Sequence, residues 1–174
     1  INAYAFSKTC SDTIAQDIYH NKPMLLTLLR PFNTYGLWHW DGVIARFTKC
    51  LLQAMPVPMQ GTGIQARDFV FVSDVVRAYE LAIKNCGGAT IEIGTGIATT
   101  VNDVARLVAD KLGVELRVKV LPAREKDFYV QFADLSTARH LLGFEPQVTL
   151  SEGLDIYLDW LKRNHTVLPA FTNG

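Results

Sequence analysis

The chain has 174 residues, 49% hydrophobic and 20% charged, which suits one globular domain with a real core. Seventeen basic residues balance seventeen acidic ones, so no global field draws it to nucleic acid or an anionic membrane, and any anion must be held by a few local arginines. Cys10, Cys50 and Cys86 are odd in number and form no CxxC, which argues against a disulfide framework or a zinc site and fits a reducing cytoplasm; no apolar run reaches membrane-spanning length, and no export signal is visible.

Apolar residues recur with a helical period over residues 2–19, which predicts a helix carrying Tyr4 and Lys8 four apart on one face. The apolar run MLLTLLRPF at 24–32 has no polar side and predicts an interior parallel strand buried on both faces. Asp41 can cap a helix through Val43, Phe47 and Leu52 that stops before Pro56, with a short strand at 57–59 after it. RDFVFV then reads as a strand ending at Ser73, which can cap a helix through Val75, Tyr79 and Ile83, halted by Gly87 and Gly88. A strand is expected at 90–93, a helix at 101–111 ended by Gly113, and a β-branched strand at 115–120. Helices at 135–142 and 150–163 close the domain, and residues 164–174 read as a tail. Alternating helix and strand makes the chain α/β.

An ammonium near a phenol favours the phenolate and pulls it down from about 10 toward the range of general bases. The Tyr4 and Lys8 pair is equally compatible with a half-buried aromatic and a solvated lysine on an ordinary helix. What decides is the order of motifs: YAFSK, RPFNTYG at 30–36, ARDFVFVSD at 66–74, IEIGTG at 91–96, LPAREKD at 121–127, then FADLSTARHLLGFEP and LSEGL. This succession resembles the C-terminal half of the NAD-dependent nucleotide-sugar epimerase/dehydratase family, the extended short-chain dehydrogenases. The resemblance implies that Tyr4 takes a proton from a sugar hydroxyl as hydride passes to NAD, and that Lys8 holds the nicotinamide ribose. It also implies that Phe32 lies by the nicotinamide and Asn33 near the substrate diphosphate, that Arg67 and Arg124 clamp that diphosphate, and that Asp127 binds the nucleotide ribose. Planar guanidinium groups pair phosphate oxygens two at a time, which explains the residue type in a neutral chain.

The sequence departs from the family at several points. Leu37 stands where proline usually follows YG and leads into WHWDG, so that Trp38, His39 and Trp40 either reshape the sugar pocket or cover an exposed patch. Lys126 replaces a glycine, and Ser73 and Asp74 replace an acidic pair. The GxxGxxG loop that seats a dinucleotide pyrophosphate occurs nowhere, IEIGTGIAT being an incomplete imitation, and the Ser or Thr expected before the tyrosine is also missing. The expected fold is therefore α/β, the substrate-binding half of an extended short-chain dehydrogenase, with a Rossmann remnant at 1–36, a nucleotide-sugar-binding subdomain at 37–163 and a tail at 164–174. NAD is the family cofactor but is not expected to bind this chain tightly. The expected partners are a nucleoside diphosphate sugar and either a second copy or a separate chain supplying the other half. The alternative is a noncatalytic nucleotide-sugar-binding or assembly module.

Overall fold

The structure, a computed structural model, describes residues 3–20, 25–85, 87–123 and 129–164, together with the backbone but not the side chain of Tyr4. Arg124, Asp127 and residues 165–174 of the expected tail lie outside the described residues. The first helix, α1, spans Ala3–His20. Its hydroxyl groups bond back to their own helix, Thr9 to the Ala5 carbonyl at 3.1 Å and Thr13 to that of Thr9 at 3.0 Å. None of its described side chains is buried.

The apolar run that follows is less regular than its composition suggests. Strand β1 covers only Leu28–Pro31 and pairs in parallel with β5, Thr90–Ile93, whereas β2, Asn33–Tyr35, pairs in parallel with β4, Ala66–Phe71. Phe32 stands between them, its N–H still donating to Ile93 O at 2.8 Å. The expectation of an interior strand buried on both faces is thus corrected: Arg30 and Pro31 are exposed, and β5 is β1's neighbour among the described residues. Pro31 has no N–H to give a second neighbour, a residue that suits an edge.

Helix α2, Gly42–Leu52, starts where Asp41 accepts a hydrogen bond from Gly42 N at 2.7 Å. Strand β3, Val57–Gln60, pairs in parallel with β7, Val118–Leu121. Helix α3, Val72–Asn85, leaves β4 without a loop; Ser73 is exposed in its first turn and does not cap it. Strand β6, Ala98–Thr100, runs antiparallel to β4, and the short β8, Val130–Gln131, runs parallel to it. Helix α4, Val101–Leu112, is capped by Thr100 and ends at Gly113, whose φ of 67° suits a glycine. Helices α5, Ser136–Leu142, and α6, Leu150–Arg163, follow, α6 with a reciprocal cap between Thr149 and Glu152.

Strand alternation makes β4 the shared wall of two cores. Phe69 and Phe71 face a core with α2, α4 and α6, while Val70 faces one with α3, β5 and α5. Helix α6 comes so close to this wall that a Cβ on Gly153 would lie 2.1 Å from the Tyr35 hydroxyl.

Candidate functional site

The change of partner at Phe32 and Asn33 opens the sheet. Where β1 follows β5 and β2 follows β4, the chain ends of parallel strands diverge, the place where α/β proteins hold ligands. A cavity of about 650 Å³ begins there, lined by Arg30, Phe32, Asn33, His39, Asp41 and Glu92 among others. A second, of about 300 Å³, is lined by Arg46, Gln60, Gln65, Arg67 and Leu121. Asn33, Asp41, Gly42, Val43 and Phe69 line both, so the two form one cleft past the N-terminus of α2.

Three of the residues singled out from sequence meet in this cleft. Phe32 is half-buried against the second core. Asn33 donates from Nδ2 to Asp68 O at 3.0 Å, which fixes its side chain at the junction of the cavities. Arg67 is half-buried, and one guanidinium nitrogen donates to the Ala66 carbonyl at 2.8 Å. Lys8 is exposed on α1, and helical spacing puts position 4, Lys8 and Asp12 on one stripe. Asp12 of that stripe pairs at 2.5 Å with Arg30, which lines the larger cavity.

Other groups at the cleft and behind it were given no role from sequence. Arg46 joins Arg67 in the smaller cavity, next to the first turn of α2, whose N–H groups and dipole favour an anion. Asp68, next to Arg67 and facing the other way, is fully buried. Its carboxylate accepts from Thr95 N, Gly96 N and Ala133 N at 2.9 to 3.1 Å and from the Thr95 hydroxyl at 2.6 Å. It ties the turn after β5 and the chain after β8 to β4. Asp74 works alike, accepting from Gln147 N, Val148 N and Arg77 and so fixing the approach to α6. The strand period in RDFVFV marks Asp68 as sharing a face with Val70, the one signal that could have shown it inward.

The two expectations for WHW divide between its residues. His39 lines the larger cavity, whereas Trp38 and Trp40 pack on Trp160 of α6 with ring centroids 5.1 and 5.5 Å away. Tyr35 also lines the cavity, but burial, then the charges of Asp74 and Glu152, push its phenol far above the ordinary value, and its hydroxyl donates to Leu150 O. It is unsuited to act as a base. Among the described residues there is no cluster able to hold a metal ion, and no helix is long and apolar enough to cross a membrane.

Helix α1, the partner-switching strand and the cleft behind it define the α/β substrate-binding half of an extended short-chain dehydrogenase. Residues 1–94 match the model of the NAD dependent epimerase/dehydratase family, and the chain belongs to that family. It is 28% identical over 166 residues to a UDP-glucuronate 4-epimerase of Thermodesulfobacterium geofontis, covering 94% of this chain and 51% of that protein. It superposes on the crystal structure of a Thermotoga maritima UDP-glucose 4-epimerase with UDP-glucose at a TM-score of 0.88 and 31% identity, over 95% of this chain and 55% of that one. A dTDP-glucose 4,6-dehydratase from Streptomyces venezuelae, with NAD bound, matches at a TM-score of 0.89 and 26% identity, over 97% and 53% of the two chains. The chain spans about half the length of these relatives.

Proposed function

We propose that the cleft binds a nucleoside diphosphate sugar and that this chain is the substrate-binding part of an NAD-dependent nucleotide-sugar epimerase or dehydratase. The observation that carries this reading is the convergence of Asn33, Arg46 and Arg67 with the first turn of α2 on one cavity. Two guanidinium groups and a helix N-terminus suit a diphosphate. Arg124 and Asp127 complete the nucleotide contacts in this reading.

In this reading Phe32, which lines the larger cavity, and Tyr4 and Lys8 on α1 serve the nicotinamide side of NAD. When bound, NAD supplies the acceptor for hydride from sugar carbon 4. The chain's own part is to hold the nucleotide and to move a proton, with Tyr4 taking it from the sugar hydroxyl and Lys8 favouring the phenolate. Phe6 and Ile14 on α1 and Leu25 before β1 are exposed by 63%, 60% and 77%. In this reading a second copy of the chain covers that apolar face.

Calorimetric titration with UDP-glucose tests the binding. Arg67→Ala should weaken it about 10- to 100-fold, the effect of losing charged hydrogen bonds. Amide shifts that map away from Asn33, Gly42 and Arg67 would overturn the site.

A further inference from the structure

We propose that Trp38 and Trp160 are positioning residues for the cleft: their contact latches residues 37–41 to α6 and so fixes the cleft wall formed by His39, Asp41 and Gly42. The proposal rests on the nucleotide-sugar reading above for its ligand and goes beyond it by assigning the shape of the cleft to side chains that do not line it.

The segment runs between two fixed points. Before it, Gly36 is packed so tightly that a Cβ would lie 2.6 Å from a methyl group of Val72 on α3. After it, the Asp41 carboxylate holds Gly42 N at 2.7 Å and starts α2. Asp41, Gly42 and Val43 line both cavities and His39 lines the larger one, so a shift of this segment moves the cleft wall. Spanning the gap puts Trp38 at a φ of 63°, in the left-handed region that favours glycine and that a residue with a Cβ resists. Such a residue persists only where its surroundings outweigh the strain.

Helix α6 supplies those surroundings. Trp160 lies against Trp38 and Trp40, and the ring planes cross at 63° and 50°, the edge-to-face and tilted arrangements in which aromatic pairs attract. Trp160 is itself stacked on Tyr157 at 6.3 Å and 21°, and the buried Tyr157 donates its hydroxyl to the His39 carbonyl at 3.5 Å. One turn of α6 therefore grips the segment twice, by the ring of Trp160 and by the hydroxyl of Tyr157. The helix is a firm anchor, since Leu154, Leu158 and Leu161 are buried in the first core. The Trp38 side of the latch is 64% exposed, so its contact with Trp160 holds it rather than burial in the core.

Two substitutions at this exposed residue separate the latch from the strain. Trp38→Ala removes the indole and keeps a Cβ at positive φ, whereas Trp38→Gly removes both. Without the latch the alanine chain leaves the strained conformation, and apparent affinity falls with the fraction that stays competent. Calorimetric titration with UDP-glucose should read Trp38→Ala about 5- to 20-fold weaker than the parent, and Trp38→Gly within about twofold of it. Trp160→Ala should show a loss like that of Trp38→Ala, restored by adding Trp38→Gly and avoided by Trp160→Phe. Hydrogen exchange of the His39 and Gly42 amides in the ligand-free chain should speed up in Trp38→Ala and Trp160→Ala and return toward the parent in the glycine variants. Equal losses for alanine and glycine at position 38, no loss in either, or weaker binding with both amides undisturbed would overturn the latch. Failure of the parent to bind UDP-glucose would overturn the nucleotide-sugar reading instead, and the exchange rates alone would then decide the latch.

Discussion

Replacing Asp68 by asparagine is the sharpest test of how this cleft is held together. The carboxylate lies at 0% exposure, and its two oxygens face backbone N–H groups of Thr95, Gly96 and Ala133. The best orientation of an asparagine puts its carbonyl toward Gly96 and Ala133 and its amide toward Thr95. The Thr95 hydroxyl can turn and accept, whereas the Thr95 N–H loses its bond to Oδ1 and keeps only the one to the oxygen at Oδ2, 3.0 Å away, and every remaining bond loses its charge. One lost charged bond and several weakened ones correspond to about 2 to 4 kcal/mol, or a fall in Tm of about 5 to 15 °C for a chain of this size. Asp68→Ala strands all three N–H groups and should cost more, about 4 to 6 kcal/mol. Urea unfolding followed by circular dichroism measures the loss, and hydrogen exchange at residues 95, 96 and 133 locates it. Because Asn33 donates to the Asp68 carbonyl and Arg67 precedes it in β4, both variants should also weaken UDP-glucose binding. Asp68→Asn within about 0.5 kcal/mol of the parent, with unchanged exchange at those amides, would refute the role of this carboxylate as the staple.

Gly153→Ala should destabilise the chain by about 1 to 3 kcal/mol, since the new Cβ would meet the Tyr35 hydroxyl at 2.1 Å and the Phe71 ring at 2.8 Å; a neutral urea midpoint would mean that α6 has slack against β4. The Thr149 hydroxyl and backbone bonds hold Glu152 below its ordinary value of 4.5. A depressed carboxylate stabilises above its unfolded value and loses that contribution as pH falls through the folded one, so the first turn of α6 should fray below about pH 4.5. Glu152→Gln should remove this acid-induced step in the amide shifts of residues 149–152. Sedimentation equilibrium at micromolar concentration should show a homodimer, weakened by Ile14→Lys or Leu25→Lys and untouched by Arg67→Ala; a well-folded monomer of 19.4 kDa would show that the exposed apolar face needs no partner.

What the sequence by itself determined is what local rules control. The helix start at Asp41, the end at Gly113 and the strand at 90–93 fall where short-range capping and periodicity put them. The order of motifs from YAFSK to LSEGL carried the family. The alternation in FVFV fixed that Phe69 and Phe71 share one face and Val70 the other, without saying what either face meets. Tertiary structure decided the rest, because strand partners are chosen across long stretches of chain that no local pattern encodes. It divided residues 28–35 between β5 and β4, formed the short strands β2, β6 and β8 against β4, and turned Asp68 inward while Arg67 faced the cleft. It also separated His39 from Trp38 and Trp40, since only the arrival of α6, more than a hundred residues later, offers the indoles a surface that outweighs the strain at Trp38. The cleft exists because β1 and β2 part company at Phe32, where a nonlocal competition between two sheet partners is resolved in favour of each for half of one strand.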